Sequence, residues 1–582
     1  MTSPRARTDV AGLLVGLAAA IASGCGSEGG APADTSPRGG DAFCDAVLPR
    51  VEAFMARMEG ERPVPDDPRY GGTVSLVYGG EMDRGMNALV SFSYESLQHQ
   101  AFVNQMTLIR YDEALEPAPY LAASWEVAPD TSAVTFHLRD DVFWHDGVPT
   151  TAWDVAFTYE RATDPRTAFP NVTYFDHYVP GSAGVEVRDS LTVTIRLARP
   201  HAEFMDPWRT FPIMPRHLLE DVPPDRLQDH PFGTQCPVGN GPFVFVSHRH
   251  QESWTFRANP AFPEGLGGRP FVDRYVYRVV PEPTPRLTEI LTGRADVYVS
   301  VEPFQARQIL EAEDVELRNF VFRDYVFVVW NSRRAQLADP RVRRALTVGT
   351  NRAAIIEALA EGYGRVANST VPPFHWSYDP AMEGLLPYDP EEARALLAEG
   401  GWTDRDGDGV RESADGTRLR IGLKYNQGNS LRRGIAELMQ SQLAQVGVEI
   451  VPEVVEYTTL QNELGDRDRD FDGVVMGFVN DFKLDDRDIF HSERVDGPYA
   501  WSGTRNPELD ALMDTLPLIT DRNEAIGLWR RYQRLLVEEQ PFTFFYFRDR
   551  LDAVGGRLRN ARMDIRGEWV NIRDWWIDPE RR

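Results

Sequence analysis

The sequence predicts a chain of α/β or α+β lobes, and three observations carry this prediction. The 582 residues exceed the length at which a single hydrophobic core stops growing, so two or more lobes are expected. Strand patterns with alternating apolar residues, such as AVTFHLR at 133–139, are mixed along the chain with helices that have recognisable caps. No repeat of fixed period is visible, which disfavours solenoids and propellers.

The individual elements have local explanations. LTVTIRL at 191–197 alternates in the same way and predicts a second half-buried strand. Asp339 and Asp389 each precede a proline, the pattern of a capping residue followed by the first helical position. Asp521 starts a further helix, which must stop before Pro541 because proline disrupts a helix interior.

The N-terminus has the pattern of an export signal over residues 1–24. Two arginines precede an apolar run at 10–21, which is shorter than the roughly 20 residues needed to span a bilayer. Small residues then lead to Cys25, which resembles the lipobox of bacterial lipoproteins, although Ala22 stands where that pattern has Leu or Val. A Gly/Ser/Pro-rich stretch follows and favours a lipidated Cys25 with a flexible tether over an ordinary secretory signal.

A short amphipathic helix is predicted between the tether and the main body. Its apolar positions recur at helical spacing at Phe43, Val47, Val51, Phe54 and Met58. Besides Cys25, the sequence contains two further cysteines, Cys44 and Cys236. In an oxidising compartment they either form a disulfide or stay as two buried thiols, and the sequence leaves both alternatives open.

The net charge of the chain limits the classes of molecule that it is expected to bind. With 88 acidic and 62 basic residues the formal net charge is −26, which repels phosphate backbones and excludes nucleic acid as the expected partner. No other stretch is apolar and long enough to cross a membrane, so the body of the protein is expected outside the cytoplasm and held to the membrane through lipid alone.

The stretch VFWHDGVPTTAWDVAFTYER, residues 142–161, places His145 beside Asp146. No Gly-x-Ser-x-Gly or His-Glu-x-x-His pattern accompanies the pair, so neither a catalytic dyad nor a metal site is indicated. Asp146-Gly147 is a turn pattern, and Thr151 with Asp154 forms a capping box. We therefore interpret the pair as a structural corner before a helix.

The stretch DRDGDGVRESAD has the spacing of a calcium loop. The predicted ligands are Asp404, Asp406, Asp408, the Val410 carbonyl and Asp415, at loop positions 1, 3, 5, 7 and 12. Position 12 is Asp rather than Glu, and the following residues form a strand pattern instead of the second helix of an EF-hand. A structural Ca²⁺ and a plain polar turn are therefore both open, and no other cofactor is expected.

The His-Asp-Gly region also resembles a known family. LAASWEVAPDTSAVTFHLRDDVFWHDGVPTTAWDVAFTYER at 121–161 is similar to the signature region of the solute-binding family 5 of ABC transporters, which includes peptide- and oligopeptide-binding proteins. Four further segments match in order: CPVGNGPFVF (236–245), VWNSRRAQLADPRVRRALTVGTNRAAIIEAL (329–359), YDPEEARALLAEGGWTDRDGDG (388–409) and EEQPFTFFYF (538–547). The resemblance covers nearly all of the chain after the tether.

This resemblance implies an α/β, two-lobed periplasmic binding protein fold of type II, the large peptide-binding class, with a subdomain inserted in the first lobe. The implied organisation is a signal peptide (1–24), a tether with the short helix (25–69), a first lobe (70–324, with the subdomain at about 90–185), a second lobe (325–545) and a return to the first lobe (546–582). The chain is expected to be a monomer.

The resemblance also suggests where a ligand binds. In the peptide-binding relatives an aspartate after a Gly-aromatic step pairs with the α-ammonium of the ligand, and Asp481 matches it, with Phe478 and Asn480 beside it. Phe478 departs from the usual tryptophan, and nearby acids leave the alignment ambiguous. Weaker predictions are Gly80, Glu81 and Met82, through backbone groups, and Trp330 and Trp501 as aromatic walls.

The implied function is capture of a solute, such as a peptide, and its delivery to an ABC permease, without catalysis. Oligosaccharides, nickel chelates and other solutes remain open as ligands within the family. A receptor or chaperone without a transporter is an alternative from another class, because fold does not fix function. An exported hydrolase is the third alternative, but no carboxylate or metal constellation in the sequence supports it.

Overall fold

The computed structural model of the protein describes residues 42–91, 93–479, 482 and 484–582. The predicted signal peptide, Cys25, Asn480 and Asp481 lie outside the described residues. Within them, no helix is both long enough and apolar enough to cross a membrane.

The described residues form β-strands of very different lengths. They are β1 (Thr73–Tyr78), β2 (Ile109–Tyr111), β3 (Pro117–Pro119), β4 (Ala122–Val127), β5 (Ala133–Leu138), β6 (Val185–Asp189), β7 (Thr192–Arg196), β8 (Phe243–Arg249), β9 (Ser253–Ala258), β10 (Arg274–Val279), β11 (Val297–Tyr298), β12 (Val315–Trp330), β13 (Gly364–Val366), β14 (Arg420–Asn426), β15 (Glu449–Val455), β16 (Gly473–Val479), β17 (Phe542–Gly555), β18 (Leu558–Arg559) and β19 (Trp576–Ile577).

The α-helices are distributed among these strands. They are α1 (Ala42–Glu61), α2 (Tyr94–His99), α3 (Ala152–Thr163), α4 (Asp206–Thr210), α5 (Arg216–Leu219), α6 (Pro283–Leu291), α7 (Ala306–Leu310), α8 (Pro340–Val348), α9 (Arg352–Ala360), α10 (Pro390–Glu399), α11 (Ser430–Ala444), α12 (Tyr457–Gly465), α13 (Arg487–Phe490), α14 (Pro507–Thr515) and α15 (Arg522–Glu539). The predicted caps are confirmed: the side chains of Asp339, Asp389 and Asp521 each accept a hydrogen bond from the amide two residues later.

One large mixed sheet runs through the described chain in the order β15-β14-β16-β12-β17-β11-β1-β10-β9-β8, with β13 added on β17. The two long strands at its centre, β12 and β17, pair antiparallel along most of their lengths. Their register shifts between Val321 and Tyr325. The predicted passage from first to second lobe, at 324/325, falls at this irregularity, and the lobe boundaries otherwise remain predictions.

The hydrophobic cores divide at the same place. Two clusters draw their buried members from 325–547, the predicted second lobe. Two others draw theirs from 74–309 together with 551–577, in the predicted first lobe. Tyr546 and Phe547 belong to the second-lobe clusters, two residues beyond the predicted boundary, because this end of β17 pairs with the second half of β12.

The subdomain is formed by a separate sheet, in the order β4-β5-β7-β6, and by helix α3. Its core includes Val134, Phe136, Val193 and Ile195, and the hydroxyls of Thr135 and Thr194 are hydrogen-bonded across the strands at 2.9 Å. The sheet ends at Arg196, past the predicted end near 185, because β7 lies between β5 and β6 and belongs to the same layer.

Helix α1 packs on this subdomain core. Val47, Val51, Phe54 and Met58 are buried, so the predicted amphipathic helix is confirmed. The sulfur atoms of Cys44 and Cys236 lie 2.06 Å apart in a disulfide that joins α1 to the segment before β8. Of the two alternatives that the sequence left open, the structure has the bridged one.

His145 is a structural residue, as its sequence context predicts. Its Nε2 donates to the Gly241 carbonyl at 3.0 Å and its Nδ1 accepts from the Gly239 amide at 3.2 Å. Burial lowers the pKa of this imidazole to about 4. The ring therefore stays neutral and fixes the corner between two segments of the first lobe.

Helix α1 packs against Asp146 and Gly147. The Asp146 carboxylate pairs with Arg50 of α1 and lies 3.0 Å from His217 Nε2. Gly147 has φ +90°, and a Cβ at this position would lie 2.8 Å from the Phe54 ring. Both the left-handed backbone and the close approach of α1 therefore require glycine.

Candidate functional site

A cavity of about 540 Å³ lies between the two lobes. The first lobe lines it with Tyr111, residues 114–117 and residues 202–206, and the second with residues 374–376, Phe482 and residues 519–522. These residues lie in turns or at the ends of elements, such as the β2–β3 turn and the start of α15. Loops held by a rigid scaffold are where ligand sites concentrate.

The first-lobe side of the cavity is acidic. Glu116, Glu203 and Asp206 line it, and the Tyr111 hydroxyl donates a hydrogen bond to Asp206. Burial, with the charge of Asp206, raises the pKa of Tyr111 well above its usual value, so the phenol keeps its proton. The wall thus combines carboxylates with an aromatic surface, a combination suited to a cationic or amphipathic ligand.

Several contacts bridge the two lobes at the edge of the cavity. The Ala202 amide donates to the Pro517 carbonyl at 2.7 Å. Arg522 forms an ion pair with Glu116. His375 Nε2 lies 3.8 Å from a Glu203 carboxylate oxygen. The lobes are therefore in contact around the cavity.

His375 is locked in a neutral form beside Phe482. Its Nε2 donates to the Phe482 carbonyl at 3.2 Å, and its Nδ1 is 2.7 Å from the Ser377 hydroxyl. Burial lowers the pKa of the imidazole to about 4. His375 therefore positions the Phe482 segment and carries no charge into the cavity near neutral pH.

A buried charged cluster lies on β17 near the register shift. Arg550 Nη2 is 2.8 Å from Glu568 Oε1, and the Tyr94 hydroxyl donates to Glu568 Oε2 at 2.7 Å. Asp552 accepts a hydrogen bond from the Ser300 amide at 2.8 Å. Burial, with the charge of Glu568, raises the pKa of Asp552 to about 7. The cluster ties the central strand to the C-terminal segment of the first lobe.

The predicted ligand residues do not all reach this cavity. Phe478 and Trp501 stack on each other, with ring centres 4.9 Å apart, and neither is part of the described lining. Trp330 was predicted as an aromatic wall, and that prediction is wrong. It is fully buried in the second-lobe core, where its indole donates to Thr543 at 2.9 Å.

Gly80, Glu81 and Met82 follow β1 and likewise lie apart from the described lining of the interlobe cavity. The Gly80 carbonyl accepts a hydrogen bond from the Tyr277 hydroxyl at 2.6 Å. Met82 is buried in a first-lobe cluster. The Trp254 indole and the Gln251 amide donate to the Glu81 carboxylate, and His248 Nε2 lies 3.4 Å from it. Against the raising effect of burial, these contacts lower the pKa of Glu81 to about 2.

Sequence reasoning missed Phe482, Glu203 and Asp206. Phe482 directly follows Asp481 in the sequence, so its position next to a predicted ligand residue could have identified it as part of the site. The two acids belong to no motif, and only the folded chain brings them opposite Phe482.

The calcium-loop residues are only partly brought together. Asp404, Asp406 and Glu412 have carboxylate oxygens within 4.8 Å of one another. Asp408 instead pairs with Arg418 at 2.5 Å, and Asp415 accepts a hydrogen bond from the Thr417 amide at 3.1 Å.

Asp408 and Asp415 are therefore not part of the three-acid group that the structure shows, and their role as calcium ligands stays a prediction. Glu412, at loop position 9, is the residue that the sequence reasoning passed over. It is buried, and its Oε1 accepts no hydrogen bond from the described residues. The Val410 amide donates to Asp408 at 2.9 Å, so this residue is part of the loop's internal bonding.

Two lobes joined by paired central strands, with a cavity between them, define a solute-binding protein of the two-lobed periplasmic class. The chain belongs to the bacterial extracellular solute-binding proteins, family 5, whose family model matches residues 116–492. This is a family of binding proteins rather than enzymes.

Individual relatives agree with this assignment. The chain is 28% identical over 472 residues to the oligopeptide-binding protein AppA of Bacillus subtilis, covering 81% of this chain and 85% of that protein. It is 27% identical over 473 residues to the heme-binding protein A of Haemophilus influenzae, covering 77% and 82%. The structure of B. subtilis AppA in complex with a nonapeptide matches with a TM-score of 0.71 and 27% identity, over 88% of this chain and 100% of that one.

Proposed function

We propose that the protein captures a peptide between its two lobes outside the cytoplasm and delivers it to the permease of an ABC importer. The observation that carries the proposal is the interlobe cavity, which three acids line on the first-lobe side and aromatic rings line on both sides. The likeness to an oligopeptide-binding protein supports a peptide over other solutes.

The mechanism is lobe closure. A ligand that touches both walls binds the closed state better than the open one and shifts the balance between them. The irregular pairing between β12 and β17 is the natural place for the bend, since both strands pass from one lobe to the other there. The closed form then presents a surface that the permease recognises, and no bond is made or broken.

The acidic wall supports recognition of a cationic group on the ligand. Glu203 and Asp206 belong to the described lining. Asp481 precedes Phe482, which also belongs to it, and we retain Asp481 as the partner of the peptide α-ammonium. A carboxylate in a closed cleft forms a stronger, charge-assisted hydrogen bond with ammonium than one at an open surface.

The proposal includes the anchor. Cys25 would carry lipid and hold the protein at the membrane, with the Gly/Ser/Pro-rich stretch as tether and a monomeric binding body beyond it. Mass spectrometry of the exported protein tests this directly, because lipidation at Cys25 removes residues 1–24 and adds the mass of the acyl groups. A mature N-terminus elsewhere, without lipid, would contradict it.

Native mass spectrometry of the exported protein with its co-purified ligand tests the central proposal. We expect adducts with peptide masses that disappear on denaturation and can be sequenced. Intact peptides after long incubation would separate binding from hydrolysis. A bound oligosaccharide, haem or metal chelate in place of peptide would overturn the peptide assignment while leaving the solute-binding class unaffected.

A further inference from the structure

Three side chains with metal-ligand chemistry meet on the first lobe, away from the interlobe cavity. They are Glu81, His248 and His250, and one ligand atom of each lies within 4.8 Å of the others. Glu81 Oε2 is 3.4 Å from His248 Nε2 and 3.7 Å from His250 Nδ1. The group lies at a surface pocket of about 460 Å³ whose lining includes Asp83 and Asp229.

The backbone explains why they meet. Glu81 follows β1, while His248 lies near the end of β8 and His250 in the turn to β9. The turn closes on the carboxylate, because the Gln251 amide donates to Glu81 Oε2 at 2.7 Å. Strand, turn and loop are parts of the scaffold, so the group does not depend on ligand binding between the lobes.

The orientation of the His248 ring is the decisive observation. Its Nδ1 lies 3.1 Å from the Thr234 carbonyl oxygen, which can only accept, so Nδ1 must carry a proton and donate. With Nδ1 committed to that carbonyl, Nε2 is the ring atom directed at Glu81 Oε2. Nε2 and Oε2, 3.4 Å apart, are therefore placed so that a metal ion can take the position of the proton that otherwise joins a histidine to a carboxylate.

The surroundings hold both ligand atoms in place. The His248 ring stacks on the Trp254 indole with ring centres 3.8 Å apart and an interplanar angle of 18°. The same indole donates from Nε1 to Glu81 Oε1 at 2.5 Å, leaving Oε2 directed at the histidines. A backbone carbonyl behind a histidine and a hydrogen-bonded carboxylate are the outer partners that metal ligands usually have.

We infer that Glu81, His248 and His250 bind a divalent transition-metal ion, and specifically Zn²⁺. Imidazole nitrogen and carboxylate oxygen are zinc ligands, and tetrahedral bonds of about 2.0–2.1 Å place ligand atoms roughly 3.3 Å apart, close to the separations in the structure. The His250 side chain is 76% exposed, so an ion can enter and water can complete its coordination.

Equilibrium dialysis of the tag-free full-length protein against Zn²⁺, after removal of metal with a chelator, tests the inference. We expect one Zn²⁺ per chain and a tetrahedral visible spectrum when Co²⁺ replaces zinc. His250→Ala should weaken zinc binding at least about tenfold, in line with the loss of one ligand. Because His250 is exposed, this variant should keep its circular dichroism spectrum and melting temperature.

Two further variants make the result specific. Glu81→Gln removes the charged ligand and keeps a carbonyl oxygen for Trp254, although not for the Gln251 amide as well. Its zinc affinity should fall, and its melting temperature is measured beside it to show that the variant is folded. His137→Ala is the matched control, because His137 faces Glu126 at 3.7 Å on the surface and belongs to no three-ligand group among the described residues. It should leave zinc binding unchanged.

The inference is overturned if the wild-type protein takes up no zinc at tens of micromolar, or if His250→Ala and Glu81→Gln bind it as tightly as wild type. Zinc binding that disappears in Asp404→Asn instead would place the ion in the calcium-type loop and would equally reject this site. Peptide binding plays no part in the measurement, so failure here leaves the proposed function standing.

Discussion

The guanidinium carbon of Arg209, in the first lobe, lies 4.3 Å from the ring centre of Phe482, in the second lobe. The same cation lies 4.8 Å from the ring centre of Tyr111 on its own lobe. Arg209 is therefore held by one aromatic ring from each side of the cavity. Since the contact with Phe482 exists only when the lobes approach each other, it favours the closed state.

Arg209→Gln should shift the purified protein toward the open state. A partly desolvated cation–π contact is worth about 1 kcal/mol, so the open-to-closed ratio should rise about fivefold. Small-angle X-ray scattering should show a larger radius of gyration for the variant. Arg57→Gln is the control, because Arg57 makes a similar contact with Phe54, at 5.0 Å, within the first-lobe side alone. Equal scattering curves for wild type and Arg209→Gln would refute the role in closure.

The buried carboxyl of Asp486 should make stability depend on pH. It accepts hydrogen bonds from the Thr370 hydroxyl at 2.6 Å and from the Tyr532 hydroxyl. Burial raises its pKa from 3.8 to about 6. Because the folded pKa lies above the unfolded one, the stabilising contribution is fully present below about pH 4 and is lost as the pH rises through about 6.

Asp486→Asn keeps a carbonyl acceptor for both hydroxyls without the charge. We expect the variant to be more stable than wild type at pH 8 by about 1–3 kcal/mol, since one pKa unit corresponds to about 1.4 kcal/mol, and nearly equal to it at pH 4. Denaturant unfolding at the two pH values measures this. Asp488→Asn, at a neighbouring side chain that is 64% exposed, should change neither value. A difference that does not vary with pH would contradict the titration of Asp486.

The features that the sequence predicted correctly are local ones. Helix α1, its buried face and the caps at Asp339 and Asp389 depend on residues a few positions apart. The His145 corner was interpretable because Asp-Gly in a turn has the same physical meaning in any fold. The two-lobed fold itself came from resemblance over several segments rather than from any single pattern.

The cavity could not be predicted in this way, because it depends on contacts between residues far apart in sequence. Asp206 and Phe482 face one cavity although more than 270 positions separate them. Trp330 was misplaced because an aromatic residue in a strand has the same local pattern whether it faces a core or a cleft. Glu412 was missed because loop position 9 often reaches calcium through water, so the motif does not demand an acid there.

Calcium should bind the loop that carries Asp404, Asp406 and Glu412. Glu412 Oε1 is buried, has no donor among the described residues and lies next to two further acids, so a hard cation that prefers oxygen ligands would stabilise it. We expect millimolar Ca²⁺ to raise the melting temperature of the chelator-treated protein by a few degrees through binding to the folded state.

Two variants distinguish the calcium ligands that the structure indicates from those that the sequence predicts. Glu412→Gln should abolish the calcium-induced rise in melting temperature. Asp415→Asn should preserve it, since Asp415 is exposed and bonded to Ser413 and Thr417 instead. If Asp415→Asn removes the effect and Glu412→Gln does not, calcium binds with the EF-hand-like ligand set and the loop rearranges around it.

The last prediction concerns the ligand charge. Asp481→Asn should weaken binding of peptides with a free N-terminus by about thirtyfold or more, since truncating one partner of a buried charge pair costs at least about 2 kcal/mol. Binding of the same peptides after N-acetylation should be spared, because they have no α-ammonium to lose. Isothermal titration with sequences identified in the native complex provides the comparison, with Asp485→Asn as the control for a nearby exposed acid. If Asp481→Asn weakens both forms equally, Asp481 is not the ammonium partner, and the acids of the first-lobe wall, Glu203 and Asp206, become the partners to test.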